Sequence, residues 1–344
     1  MLLKLPESFP TTVHILEKLE GGCLPKGPWV LVGDDAIRPL WERAGMPVPP
    51  GSRWVSLDET TKRLDTLIPW LEAWAALPLH RDVCIVAAGG GVLTDMVGLA
   101  AALFLRGVTW QAWPTTLLSQ VDAGLGGKTA VNLTAGKNLA GAFHPPEHMV
   151  VCSAFLDTLP LRQLHSGRWE LIKMAFLEGD TAWAERLMAS PKPDSNDLAR
   201  ALEIKAELVH RDLREAGDRK LLNLGHTLGH ALEAASDFRL LHGEAVGLGL
   251  LAACFLAEEA GLPAFPPELL QRLAKHLQPL APEIAPWEAC LPWLARDKKI
   301  DTGANGTAPA VHCVLPQPGN RATLRFLSPE AWITAHAKLL NSFC

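Results

Sequence analysis

The chain has 344 residues, of which 48% are apolar and 20% charged, with a formal net charge of −5. That length suits two domains, and the acidic balance argues against a polyanion-binding surface, so any phosphate has to be met by a local cluster of cations. The longest strongly apolar run, Val97 to Leu105, is far short of the roughly 20 residues a membrane span needs.

The N-terminus lacks the basic, apolar and small-residue succession of a secretory signal. Seven scattered cysteines without a CxxC pair read as reduced thiols of a cytoplasmic protein. There is no tyrosine beside twelve tryptophans, which removes Tyr as a candidate general acid.

In chain order, Trp29-Val-Leu-Val-Gly33 reads as a buried strand ending in glycine. Asp82 to Ala87 reads as another, running straight into Gly89-Gly90-Gly91. A helix is expected from about Leu93 to Leu105, then a strand from Val108 to Trp113 closed by Pro114. Strand, glycine turn, helix, strand is the βαβ pattern of a nucleotide-binding sheet. From about Pro160 long helical segments dominate: Asp197 to Arg214, Leu221 to Ala235, Gly243 to Ala260 and Pro267 to His276. Val311 to Phe326, with Pro-Gln-Pro-Gly-Asn in its middle, reads as a hairpin. The expected architecture is therefore an α/β nucleotide-binding domain over residues 1–160 and a mostly α-helical domain over 161–344, with a catalytic cleft between them.

Three glycines after a strand let backbone amides approach a pyrophosphate without an intervening Cβ, though they also occur in plain tight turns. Asp95, on the first turn of the following helix, is either a ligand or a charge that complements the helix dipole. Thr115 and Thr116 are either hydroxyl donors at a strand end or a helix N-cap. Between Gln120 and Asn138 a glycine-rich stretch carries Asp122, Lys128, Lys137 and Asn138. Lysines beside glycines suit an anion site, and the spacing is not that of a Walker loop.

His226 and His230 lie four apart on an expected helix and so share one face. His242 follows after a turn, and Glu170 lies on an earlier helix with Lys173 one turn on. Three histidines and a carboxylate are a usual inventory for zinc. Spacing does not say which of His226 and His230 is a ligand and which is free for acid–base work.

At these residues the chain resembles the 3-dehydroquinate synthase family, within the sugar phosphate cyclases, from about Gly33 to Lys299. The matching stretches include Gly89-Gly-Gly-Val-Leu-Thr-Asp95, Pro114-Thr-Thr, Gly126-Gly-Lys-Thr129, Gly136-Lys-Asn138, Glu170-Leu-Ile-Lys173, Glu215-Ala-Gly-Asp-Arg219, Leu222-Asn-Leu-Gly-His-Thr-Leu-Gly-His230 and Leu241-His-Gly-Glu244. Each is short, but the ordered set is specific.

The resemblance implies zinc (or cobalt) on Glu170, His226 and His242, with His242 also reaching substrate. It implies NAD held by Asp34, Glu59, Lys62, Gly90, Gly91, Val92, Asp95, Thr115, Thr116, Lys137 and the run Phe155, Leu156, Asp157, Thr158. Substrate phosphate and carboxylate would be met by Arg106, Lys128, Asn138, Lys173, Lys205, Arg219, Asn223 and Lys298 or Lys299, and substrate hydroxyls by Asp122. Glu215 and His230 would move protons, with Lys128 and Lys173 also in the catalytic set.

The implied reaction is conversion of a phosphorylated seven-carbon sugar acid to a carbocycle: transient oxidation by NAD, phosphate elimination, re-reduction and aldol closure. A cytoplasmic homodimer without nucleic-acid or membrane partners is implied as well. The alternatives are another sugar phosphate cyclase, a metal-dependent polyol dehydrogenase and a non-catalytic binding paralogue. The chain departs from the family pattern at Ala36, Thr94, Leu133-Thr134 and Arg168-Trp169.

Overall fold

The computed structural model describes residues 1–190, 192–215, 217–296, 300–301 and 310–343. It divides into two compact units, Met1–Leu164 with Asp194–His210, and His165–Pro193 with Arg211–Cys344.

The first unit holds strands β1 (Thr12–Leu16), β2 (Trp29–Asp34), β3 (Arg53–Val55), β4 (Cys84–Gly89), β5 (Thr109–Pro114), β6 (Lys128–Leu133), β7 (Gly136–Phe143) and β8 (His148–Cys152). Six of them form a sheet in the order β1-β8-β5-β4-β2-β3, and every pairing is parallel. β4 is buried at all its positions, as a parallel strand covered on both faces must be. Helices α1 (Arg38–Arg43), α2 (Leu64–Ala75) and α3 (Gly91–Leu103) follow β2, β3 and β4.

The chain runs outward from β2 to β3, then returns to β4 and continues to β5 on the other side. The order therefore reverses between β2 and β4, and open sheets take ligands at the carboxyl ends flanking such a point. In the glycine-rich stretch after Gln120, β6 and β7 form an antiparallel hairpin that carries Lys128 and Lys137.

The second unit continues α4 (Leu161–Leu177) and adds α5 (Thr181–Ala189), α7 (His226–Ala235), α8 (His242–Glu259), α9 (Pro267–Leu277), α10 (Trp287–Arg296) and α11 (Pro329–Asn341), while α6 (Ser195–Arg211) belongs mostly to the first. Strands β9 (Ile300–Asp301), β10 (Ala310–Gln317) and β11 (Asn320–Leu327) make a small antiparallel sheet, which contains the expected hairpin.

The helix expected over Leu221–Ala235 is broken in two. A 3₁₀ turn covers Asp218–Asn223, and α7 starts only after Gly225, whose φ of +77° is left-handed. α8 is buried along most of its length, the pattern of a helix enclosed by neighbours. No helix among the described residues is long and apolar enough to cross a membrane.

Backbone-to-backbone contact sets the approach of α7, α8 and α4. A Cβ on Gly249 would stand 1.9 Å from the Gly225 carbonyl oxygen, and one on Gly243 would stand 1.9 Å from that of Ser166. A Cβ on Gly229 would meet the Ala245 carbonyl oxygen at 3.0 Å. These helices touch where no side chain intervenes, so their own side chains beyond the contact are brought close.

Gly249→Ala should therefore lower the unfolding free energy by about 3 kcal/mol or more, since backbone must move to admit the methyl group. Gly22→Ala, with nothing within 4 Å of the added Cβ, should stay within about 0.5 kcal/mol of the parent. Equilibrium urea unfolding of the two variants measures the difference.

Candidate metal and nucleotide centres

Glu170 sits on α4 with 0% of its surface exposed, and Lys173, one turn on, with 1%. The Lys173 ammonium stands 2.5 Å from Glu170 Oε2 and donates to the Leu222 carbonyl at 2.9 Å. Neither Glu170 oxygen is met by a hydrogen-bond donor in good geometry. Oε1 instead faces two imidazoles: His226 Nε2 and His242 Nε2 are each 3.5 Å away.

The far nitrogens of those rings are engaged. His226 Nδ1 is 3.0 Å from the Leu224 carbonyl oxygen, and His242 Nδ1 is 3.2 Å from Glu233 Oε2. Because both acceptors need a donor, both Nδ1 atoms carry a proton, and the Nε2 atoms are the ring nitrogens that face Glu170.

Burial alone would raise the Glu170 carboxyl, but Lys173, His226 and His242 together hold it well below the usual range. Burial drives His226 down, helped by Lys173 and its neighbouring imidazoles against the pull of Glu170. Burial also opposes the cation of His242, but Glu170 and Glu233 outweigh it and push that imidazole up to about 10.

Two imidazole nitrogens and a carboxylate oxygen suit a divalent transition metal. At metal–ligand distances of about 2.1 Å, tetrahedral ligands stand about 3.4 Å apart, close to the 3.5 Å found here between Oε1 and each Nε2. His230, one turn along α7 from His226, completes a group of three imidazoles whose ligand atoms lie within 4.8 Å of one another. It is the exposed member, with His226 buried and His242 between.

α8 begins at His242, where Leu241 N–H donates to Glu244 Oε2 at 2.8 Å and Gly243 N–H donates to Ser166 Oγ at 3.1 Å. Both bonds pin the helix start and so the ring. Arg219 is buried, and its Nη1 donates to the Leu213 carbonyl at 2.6 Å. Glu215 sits between them at φ +60°, a region non-glycine residues seldom occupy. Asn223 Nδ2 donates to Glu215 Oε1 at 2.6 Å.

In the first unit the expected nucleotide residues cluster at the carboxyl ends of strands. Asp34 ends β2, Gly90, Gly91 and Val92 follow β4, Thr115 and Thr116 follow β5, and Phe155 to Thr158 follow β8. Gly90 and Gly91 have no room to spare: Cβ atoms there would meet Thr116 Cγ2 at 3.2 Å and Ala123 Cβ at 3.3 Å.

Buried Lys62 donates to Asp95 Oδ2 at 2.6 Å and to Asn138 Oδ1 at 2.7 Å, joining three expected residues. Asn132, which the motifs did not flag, extends the network. Its Nδ2 donates to Glu59 Oε1 at 2.7 Å, and its Oδ1 accepts from Asn138 N–H at 2.8 Å. Thr116 Oγ1 bonds Ser119 Oγ at 2.8 Å, a local turn contact.

Lys205, on α6 and 4% exposed, contacts Asp122 Oδ1 at 2.5 Å and also its carbonyl. Arg106, Lys128 and Lys137 are exposed, and Arg106 has φ +65°. Lys298 and Lys299 lie outside the described residues. Glu233, also unflagged by the motifs, is three residues past His230, a spacing that puts it on the same helix face.

The departures noted in the sequence are accommodated. Arg168 Nη2 donates to the Leu187 and Met188 carbonyls at the end of α5. Trp169 packs where a Cβ on Gly247 would stand 2.7 Å from its ring. Thr94 Oγ1 donates to the Gly91 carbonyl at 3.1 Å, and Ala36 N–H to Asp34 Oδ1 at 2.9 Å.

The pattern described as 3-dehydroquinate synthase N-terminal matches residues 53–166, and that described as 3-dehydroquinate synthase C-terminal matches 167–300. A 3-dehydroquinate synthase of Symbiobacterium thermophilum is 38% identical over 310 residues, covering 86% of this chain and 84% of the relative. One of Methylacidiphilum infernorum is 43% identical over 255 residues, 71% and 70% of the two chains. Among solved structures, a 2-epi-5-epi-valiolone synthase from Streptomyces hygroscopicus, with NAD+ and Zn2+ bound, aligns with a TM-score of 0.78 at 28% identity over 96% of each chain. A 2-deoxy-scyllo-inosose synthase complexed with carbaglucose-6-phosphate, NAD+ and Co2+ aligns with a TM-score of 0.79 at 22% identity, covering 98% of this chain and 99% of that one.

Two expectations follow from the pairings. Glu170→Ala leaves the Lys173 ammonium buried without its counter-charge and should cost about 3–5 kcal/mol of stability in metal-free protein. The double variant Glu170→Leu/Lys173→Met should lose less than the sum of the single losses, as unfolding of the four proteins of the cycle would read.

The second concerns pH. Burial pushes Asp95 up to about 6 against the pull of Lys62. A folded-state value above the unfolded one gives stability that is complete below about pH 4 and lost as pH rises through about 6. The parent should therefore lose on the order of 2–3 kcal/mol relative to Asp95→Asn across that window, at 1.36 kcal/mol per unit, in unfolding measured at pH 4 and pH 7.

Proposed function

Because the chain belongs to the 3-dehydroquinate synthase family, we propose that it converts 3-deoxy-D-arabino-heptulosonate 7-phosphate to 3-dehydroquinate and phosphate, as an NAD- and zinc- or cobalt-dependent lyase. The observation that carries this reading is the buried Glu170 carboxylate with the Nε2 atoms of His226 and His242 each 3.5 Å from its Oε1.

Glu170, His226 and His242 would hold the metal. Asp34, Glu59, Lys62, Gly90, Gly91, Val92, Asp95, Thr115, Thr116, Lys137 and the run from Phe155 to Thr158 would hold NAD. When bound, the metal supplies Lewis acidity to substrate hydroxyls and NAD supplies a hydride acceptor that is restored within each turnover.

Lys173 holds Glu170 as a carboxylate by its position 2.5 Å away. His230, one turn along α7 from His226, and Glu215, held by Asn223, are the proton-handling pair. Arg106, Lys128, Asn138, Lys205, Arg219, Asn223 and one lysine of the 298–299 pair meet the phosphate and carboxylate, which serves orientation and charge stabilisation. Asp122 meets hydroxyls. Free thiols at all six described cysteines fit a reducing cytoplasm, and the family resemblance carries the homodimer.

Another sugar phosphate cyclase is the second reading, because the valiolone synthase shares the fold and is solved with NAD+ and Zn2+. Lys173, Lys205, Arg219 and Asn223 together favour a substrate bearing a carboxylate as well as a phosphate. An iron-containing alcohol dehydrogenase shares the fold at a TM-score of 0.57 and 14% identity. A polyol dehydrogenase would accumulate NADH.

With the heptulosonate phosphate, NAD and zinc, the protein should release phosphate in excess over NAD without net NADH absorbance. A chelator should abolish turnover, and zinc or cobalt should restore it. Stoichiometric NADH, or full activity in demonstrably metal-free protein, overturns the reading.

Arg219→Ala should lower kcat/KM at least roughly tenfold, since a hydrogen bond to a charged group contributes about 1.5–3 kcal/mol. Kinetics on the full substrate and on an analogue lacking the carboxylate decide its role. A loss confined to the full substrate makes Arg219 the carboxylate anchor. A small and equal loss on both overturns its role as an anion anchor.

A further inference from the structure

We propose that Glu233 is a positioning residue for the metal centre, orienting the His242 imidazole and supporting it as a donor. The inference rests on the reading of Glu170, His226 and His242 as metal ligands.

His242 is the first residue of α8, so its ring lacks the packing of a preceding helical turn. A ring free to flip about its Cβ–Cγ bond would present Nδ1 or Nε2 to a metal indifferently. Glu233 removes that freedom: its Oε2 stands 3.2 Å from His242 Nδ1. An ionised carboxylate only accepts hydrogen bonds, so a proton stays on Nδ1, and Nε2 is the nitrogen left to give up its proton to a metal. That Nε2 is 3.5 Å from Glu170 Oε1.

His226 has the same arrangement from a different source, its Nδ1 being 3.0 Å from the Leu224 carbonyl oxygen. Each imidazole facing Glu170 is thus held from behind, one by backbone and one by a carboxylate. The Glu233 side chain is only 14% exposed, where a charge is less screened than in water. A carboxylate behind a ligating imidazole also raises its basicity.

α7 organises the set. His226, His230 and Glu233 lie at intervals of four and three, along two turns of one face. One helix therefore carries a ligand, a second imidazole and the group that orients the ligand on α8. A surface role does not account for a side chain of low exposure whose oxygen is directed at the far nitrogen of a metal-facing imidazole.

The test is zinc affinity of metal-free protein, read by competition with a chromophoric chelator, with thermal unfolding of each metal-free variant alongside. Glu233→Ala should weaken zinc about 10–100-fold, the range for loss of such outer partners. Glu233→Gln keeps size and an acceptor oxygen but not the charge, so its loss should be smaller, and it serves if the alanine variant does not fold. The visible spectrum of the cobalt-loaded variants should shift with the altered ring orientation.

His242→Ala and Glu170→Ala, measured in the same way, separate the two levels of inference. If both keep parental zinc affinity, the ligand assignment fails. If they lose zinc while Glu233→Ala and Glu233→Gln bind it as tightly as the parent, the ligands stand and the positioning role is overturned.

Discussion

A carboxylate with none of its surface in water governs the helical unit. An ion taken out of water loses several kcal/mol of hydration unless opposite charge or hydrogen bonds replace it. Glu170 has no well-formed hydrogen bond, so the compensation is electrostatic, from one ammonium and from imidazoles on two other helices. A buried ion pair is weak evidence of stability. Its persistence here is better understood as the standing requirement of a site built to receive a further cation.

That requirement can be met only if three helices approach closely, and the glycines make this possible. Gly225, Gly229, Gly243 and Gly249 stand where an added Cβ would meet backbone within 3.0 Å. The left-handed conformation of Gly225, the N-cap, also makes His226 the first residue of α7. The residue that permits the helix–helix contact thus fixes the position of the first imidazole. Likewise Gly243, against Ser166 on α4, lies beside His242. Glycines and imidazoles stand side by side in the sequence because close approach and imidazole placement are one geometric event.

Much of this was legible beforehand, and the limits were physical. Trp29–Gly33 and the run into Gly89 announced parallel strands because burial on both faces leaves continuous apolar runs. β6 and β7 were missed because lysine, glycine and asparagine obscure strand periodicity, and a two-stranded hairpin needs only one covered face. α6 shows helical period clearly, but period does not say which unit a helix joins. The imidazoles were flagged by spacing, yet spacing places His226 and His230 equally. Only coordinates show that His226 Nε2 faces Glu170 while its Nδ1 is held by a carbonyl. Glu233 and Asn132 carried no signal of type or motif, because an outer partner is defined by what it touches.

In the first unit the same logic acts at lower stakes. Lys62 is shared by Asp95 and Asn138, and Lys205 by Asp122. Residues expected to meet ligand are here engaged with one another. A cationic side chain buried without a partner would be costly, so a polar site must be self-satisfied when no ligand is bound. A ligand anion then exchanges one charged partner for another within a framework already desolvated and oriented. Its gain is the difference between the two partners rather than the full strength of either. The preorganisation that lets fixed charges favour a developing charge is in this sense internal pairing, and the bond between Lys62 and Asp95 holds both groups in place whether or not a ligand joins them.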